Sequence, residues 1–243
     1  MRRLKRTLFA SDLHLDAARP DATARFQRFL EAALPGADAL YILGDLFEYW
    51  VGDDSLALPF PEAIAGDLSR ASRLAPLFFM HGNRDFLAAQ AFARATGATL
   101  LDDPTRIDLY GRPTVLLHGD TLCTGDAAYQ RFRAQVHDPA WQRATLALPL
   151  ADRMAMAQAL RGESEGAKQG KSVEIMDVAS AAVERAFEDC GCDLMIHGHT
   201  HRPGRHVHRV AGRDRERWVL PDWYGRGGYL EASPEGIRAV EAV

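Results

Sequence analysis

The sequence predicts an α/β fold: a β-sandwich flanked by helices, with a helical insert. Three observations lead there. Five short apolar runs each end in polar residues: "RTLFASDLH", "DALYILGD", "APLFFMHGNRD", "TVLLHGD" and "DLMIHGHTH". They are near-continuous rather than alternating, as strands buried on both faces are. Between them run helical apolar stripes: Phe26, Phe29, Leu30, Ala33 and Leu34, then Ile175, Val178, Ala179, Ala182, Val183, Ala186 and Phe187. Strands alternating with helices mark a layered α/β architecture. Finally, "HVHRV", "RWVLPDW", "GGYLEA" and "GIRAVEAV" read as short strands parted by turns. They predict a second, antiparallel-rich sheet.

The insert is expected over about residues 122–172, where no strand pattern occurs. It carries Tyr129, Phe132, Val136, Trp141, Leu146, Leu148, Leu150, Met154, Met156 and Leu160. Arg131, Arg133, Arg143, Arg153, Arg161, Lys168 and Lys171 are interleaved with them. The apolar set suits a small helical core, and also a trough for an apolar ligand. The arginines suit anionic lipid headgroups, each contributing about 1 kcal/mol at a membrane surface. With 243 residues, the chain is read as one domain, 1–243, containing this insert.

Composition narrows the class. Apolar residues make 47% and charged residues 26%, the balance of a globular protein that buries a core. A net charge of -4 argues against a general nucleic-acid binder. Cys123, Cys190 and Cys192 make no disulfide framework, so a reducing compartment is expected. The basic start followed by "TLFA" is too short for a signal-peptide core. No run approaches the roughly 18 apolar residues of a spanning helix, so a soluble or peripheral protein is expected.

Polar residues follow every one of the five runs: Asp12 and His14, Asp45, Asn83, His118, and His199 with His201. Ligands of open α/β sheets gather beyond the carboxyl ends of strands. Asp, Asn and His are oxygen and nitrogen donors suited to Mn²⁺, Fe²⁺ or Zn²⁺. Seven exceed the needs of one ion but suit two that share a carboxylate, an arrangement that clamps phosphoryl transfer. Singly, each motif has a plainer explanation. "SDLH" could cap a helix, "GD" and "GNRD" could be turns, and "GHTH" could be a surface loop. Their joint occurrence, in order and each after a buried run, favours metal. His197 is read as the end of its strand, and Phe47 as core.

The set D-x-H, GD, GNRD, HGD and GHTH, spanning Asp12 to His201, resembles the calcineurin-like metallophosphoesterase family. The resemblance implies that Asp12, His14, Asp45 and His201 hold one metal. Asp45, Asn83, His118 and His199 would hold the other, with Asp45 bridging. Where that family often has His after the Asn, this chain has Arg84. Arg donates no proton at neutral pH, but it clamps phosphate with two hydrogen bonds. A phosphate leaving group needs no acid, since its second pKa is about 6. Arg84 therefore points to a pyrophosphate substrate.

The stretches "ALYILGDLFEYWVGDD", "HGNRDFL", "LHGDTLCTGDAAYQRFR" and "IHGHTHRP" are further similar to the UDP-2,3-diacylglucosamine hydrolases of lipid A biosynthesis, nearly end to end. This resemblance implies a Mn²⁺ enzyme with two ions, peripheral at the cytoplasmic face of the bacterial inner membrane. A metal-bridging hydroxide would attack the phosphorus nearer uridine, releasing UMP and 2,3-diacylglucosamine 1-phosphate. Asp45, Asn83, Arg84 and His118 would carry catalysis. Asn83, Arg84, Asp126, Ser164, Lys168, Lys171 and His199 would contact substrate, with Lys168 standing where some relatives carry Asn. On residues alone, Asp126 is better read as the N-cap of the helix it precedes. No obligate protein partner and no nucleic acid are expected. The rival expectations are another dimetal phosphoesterase and a non-catalytic scaffold of the same fold.

Overall fold

The computed structural model describes residues 5–168 and 177–242, with side chains through Gly162 and again from Asp177. Two sheets face each other. The first has six strands, in the order β11 (Gly236–Glu241), β10 (Gly228–Ser233), β1 (Thr7–Ala10), β2 (Ala39–Leu43), β3 (Leu77–Met80) and β4 (Thr99–Leu101). The second has five, in the order β5 (Thr105–Leu109), β6 (Arg112–Leu116), β7 (Leu194–His197), β9 (Arg213–Val219) and β8 (Gly204–Val210). Strands β1 to β4 run parallel, as do β6, β7 and β9.

The near-continuous apolar runs are explained by burial of both faces. On β1, Leu8 and Ala10 point outward to helices α1 (Pro20–Ala32), α2 (Pro59–Ala71) and α3 (Gln90–Thr96). Phe9 points inward, against Leu43, Met80, Leu116 and Ile196 between the sheets. Helix α7 (Ser180–Cys190) covers the far side of the second sheet, packing Val183 and Phe187 on Val115 and Met195. The result is four layers, helix, sheet, sheet, helix.

Two expectations need correction. The C-terminal strands do not form one sheet. Strand β9 fills the open edge beside β7, while β10 pairs with β1, Phe9 opposite Leu230. The chain crosses between sheets at the fully buried Trp223, which lies edge-on to Phe26 and Phe29. Helix α7 also begins later than its stripe predicts. Ala179 is extended and donates its N–H to the Leu122 carbonyl (2.9 Å), so the helix opens at Ser180.

From Leu122 to Lys168 the described residues contain no strand. Three helices occupy them: α4 (Ala127–Val136), α5 (Pro139–Leu146) and α6 (Leu150–Lys168). Asp138 caps α5 by accepting from Ala140 and Trp141 N–H, with Pro139 opening the helix. Ser164 and Lys168 lie in the last turns of α6, their side chains outside the described ones. Lys171, the other expected substrate contact, and Ile175 of the expected stripe lie outside the described residues altogether.

Candidate metal centre

The carboxyl ends of β1, β2, β3, β6 and β7 converge at one end of the sandwich. The loops leaving β1 and β2 run on together, with His14 N–H bonded to Asp45 O (2.9 Å) and Leu15 N–H to Leu46 O (2.9 Å). Seven non-glycine residues of the described chain have positive φ. Five are expected ligands: Asp12 (54°), His14 (48°), Asp45 (54°), His199 (67°) and His201 (53°). This left-handed conformation costs on the order of 1–3 kcal/mol per residue, less for Asp and His. Strain gathered at one spot signals that the loops are shaped for a task, not for stability. Gly82 is required by close approach, since a Cβ there would collide with the Asp45 carboxylate.

These loops bring all seven expected ligands together. Donor atoms of Asp12, His14 and His201 lie within 4.8 Å of one another, and so do those of Asp12, Asp45 and His118. Asp45 faces both sides: Oδ2 is 3.7 Å from His14 Nε2, and Oδ1 is 3.8 Å from His118 Nε2. Asn83 Oδ1 lies 3.1 Å from His118 Nε2 and 3.0 Å from His199 Nδ1. Asp12 also accepts the His199 N–H (2.9 Å), joining the first motif to the last.

The electrostatics ask for a cation. Burial pushes the Asp45 carboxyl up to about 6, with Asp12 adding to the effect. Burial opposes charge on His118, but Asp45, Asp120 and Asp12 outweigh it and lift the imidazole to about 9. Burial and the neighbouring His118 lower His199 to about 3. The donor geometry gives the same answer. His118 Nδ1 donates to the Leu43 carbonyl (2.9 Å), so a neutral His118 turns its Nε2 lone pair toward the Asn83 oxygen. Both ring nitrogens of the buried His14 lack a hydrogen-bond partner among the described residues. Inward lone pairs, hard oxygen donors and no thiolate fit divalent metal ions.

Arg84 and Asp85 divide their work. Arg84 N–H donates to Asp45 Oδ1 (2.9 Å), while its buried Nε has no hydrogen-bond partner among the described residues. Asp85 is fully buried and accepts from the N–H groups of Gly82 (2.7 Å), Leu46 (2.7 Å) and Asp45 (3.3 Å). His197 ends β7 as expected. Its Nδ1 donates to Gly198 O (2.8 Å) and its Nε2 accepts from Arg217 (2.9 Å), so neither nitrogen serves the cluster. Phe47 is core, packed on Trp50 and Phe92.

A cavity of about 580 Å³ opens on the cluster and runs beneath α4, α5 and α6. Asp126 lines it and also caps α4, accepting from Tyr129 N–H (3.1 Å), so its two readings coexist. The headgroup role expected for the insert arginines needs correction. Arg133 donates to Asp120 (2.7 Å), Arg161 meets Glu48 (2.9 Å), and the 2% exposed Arg153 pairs with Asp54. Only Arg131 and Arg143 of the five are exposed. Sequence reading also missed Asp120 and Glu48. The buried Asp120 carboxylate takes Tyr129 OH (2.6 Å) and Arg133 Nε. The buried Glu48 lies 3.7 Å from His14 Nδ1. Their signal was present, since both sit within three residues of an expected ligand after a buried strand.

Comparison with known proteins agrees with this geometry. The calcineurin-like phosphoesterase family matches residues 5–203. A UDP-2,3-diacylglucosamine hydrolase of Xanthomonas campestris pv. campestris (strain B100) is 51% identical over 239 residues, covering 95% of this chain and 96% of its own. Hydrolases of the same name from Cellvibrio japonicus (strain Ueda107) and Shewanella halifaxensis (strain HAW-EB4) are 50% and 49% identical. They cover 95% and 97% of this chain, and 96% and 98% of their own. Fold, clustered metal donors and full-length similarity converge: the chain belongs to the calcineurin-like phosphoesterase family of metal-dependent enzymes.

Proposed function

We propose that the protein hydrolyses the pyrophosphate of UDP-2,3-diacylglucosamine to UMP and 2,3-diacylglucosamine 1-phosphate, with two Mn²⁺ ions per chain. One observation carries the reading. The same cavity is lined by His14, Asp45, Asn83 and His199 and by Phe132, Trp141, Met156 and Leu160. A charged diphosphate and two acyl chains need those two chemistries side by side. Relatives of about 50% identity that bear this activity in their names support it.

In this reading Asp12, His14, Asp45 and His201 hold one ion, and Asp45, Asn83, His118 and His199 the other. Bound there, such ions would supply a water of lowered pKa and offset charge on the phosphoryl oxygens. Arg84, which lines the cavity with an Nε unpaired among the described residues, clamps the diphosphate and stabilises its developing charge. No acid is required, because phosphate is the leaving group. Asp126, Ser164, Lys168 and Lys171 complete the substrate contacts, and the insert, about 122–172, acts as a lid over the acyl chains. No described helix is long and apolar enough to cross a membrane. A substrate of this kind places the protein at the cytoplasmic face of the inner membrane, held peripherally.

The test is a Mn²⁺-supplemented assay on UDP-2,3-diacylglucosamine in ¹⁸O water. UMP carrying the label is expected. Label only in the lipid phosphate would refute attack at the phosphorus nearer uridine. Faster turnover of a soluble aryl phosphate would favour a different phosphoesterase activity.

A further inference from the structure

Arg153 is an anomaly on α6. A guanidinium is rarely buried unless fully paired, because removing it from water costs several kcal/mol. Here its two Nη groups are occupied by Val51 and Asp54, far away in sequence, and its Nε by the nearby Leu148. Nη1 donates to Asp54 Oδ1 (3.0 Å) and to the Val51 carbonyl, Nη2 donates to Asp54 Oδ2, and Nε donates to the Leu148 carbonyl (3.0 Å). The bidentate geometry fixes direction as well as distance. Gly52 makes room for it, since a Cβ there would strike the guanidinium and Leu146.

The placement on the helix matters. Met156, Ala157, Leu160 and Arg161 follow Arg153 by three, four, seven and eight residues, so all share one face of α6. That face lines the cavity. The lining also includes Trp50 and Val51, from the very segment Arg153 grips. A second tie lies two turns on, where Arg161 meets Glu48 (2.9 Å). Two ties about 12 Å apart along an axis, at 1.5 Å per residue, fix its tilt. The Glu48 tie sits against His14, but Asp54 stands outside the cluster and lines no part of the cavity.

We infer that the Arg153–Asp54 pair is a positioning device: it sets the tilt of α6 against the Trp50–Val51 segment, and thereby how well the cavity receives a long apolar chain, without acting on the metal-ligand cluster. This rests on the proposed lipid substrate only for its kinetic arm. Asp54 is half exposed, so Asp54→Ala should fold. Arg153→Gln, which keeps part of the hydrogen bonding, serves as the second variant.

Three readouts separate the outcomes. Binding of a fluorescent fatty acid, which needs no turnover, should weaken about tenfold in both variants. Amide exchange over 150–162 should quicken in both. With UDP-2,3-diacylglucosamine, Asp54→Ala should raise KM about tenfold and move kcat less than about twofold. Its metal-dependent turnover of bis(4-nitrophenyl) phosphate should stay unchanged. Unaltered fatty-acid binding despite faster exchange would overturn the inference, as would parallel loss on the acyl-free diester. If the unaltered protein fails on the UDP-lipid, the proposed function falls, while the fatty-acid and exchange measurements still judge the pair.

Discussion

The cavity has two walls built on different principles. The metal-donor wall hangs from strand ends, where hydrogen bonds between loops hold five expected ligands in the strained left-handed region. The insert wall is three helices in relaxed geometry, joined to the body by side chains such as Arg153, Arg161 and Phe86. A strained loop between paired strands has one available shape. A helix held by side chains can be retuned by changing one of them. On the proposed function, the difference separates two properties: reactivity on the rigid frame, fit to substrate on the adjustable one.

The largest break should come on the rigid side. Asp45→Ala removes the carboxylate that faces both His14 and His118. A drop of about 10⁴-fold in kcat is expected, read with saturating Mn²⁺. Near-normal Mn²⁺-dependent activity would dissolve the contrast. Arg84→Lys keeps the charge but loses the planar fork, so kcat/KM should fall about 100-fold, mostly in kcat. Arg84→Ala, which loses the charge as well, should fall further, and equal loss in the two variants would show that the charge contributes nothing beyond the fork.

A third test asks whether the frame beneath the cluster is as rigid as its geometry implies. Burial and the adjacent Arg217 lower His197 from an ordinary 6.5 to about 3. The folded protein therefore binds fewer protons there than the unfolded chain. Its contribution to stability is complete above pH 6.5 and drains away as pH falls toward 3, by about 1.4 kcal/mol per pH unit. Denaturant melts at pH 6.5 and 4.5 should differ by roughly 2 kcal/mol more in the native protein than in His197→Gln. The smallest effect should come from the insert wall. Phe86 packs on His137 and Trp141, with ring centres 5.5 Å and 6.2 Å apart. Phe86→Ala should raise KM about fivefold and lower kcat less, by loosening α4 and α5.

The rigid wall was also the legible one. A buried strand ending in Asp, Asn or His is a local pattern, and five such patterns in order singled out the seven side chains that the fold brings together. Asp126 was half legible, because a cap and a cavity contact demand the same residue. The insert wall was legible as helical and apolar, but not in how it is held. An arginine between apolar residues looks like a surface cation, and only the fold shows Arg153 bonded to Asp54, 99 positions away. The C-terminal strands misled for a similar reason, since which sheet edge a hairpin joins depends on edges left open elsewhere.

The carboxylate of Asp85 has a mechanical meaning. It bonds three amides contributed by two loops, those that carry Asp45 and Asn83. Two segments that could drift separately are thereby left one shared degree of freedom. A fluctuation that moves one donor carries the other along, so the distance between them is conserved even while the loops breathe. Replacing Asp85 would leave every metal donor in the chain and still uncouple them, turning a fixed gauge into two independent arms.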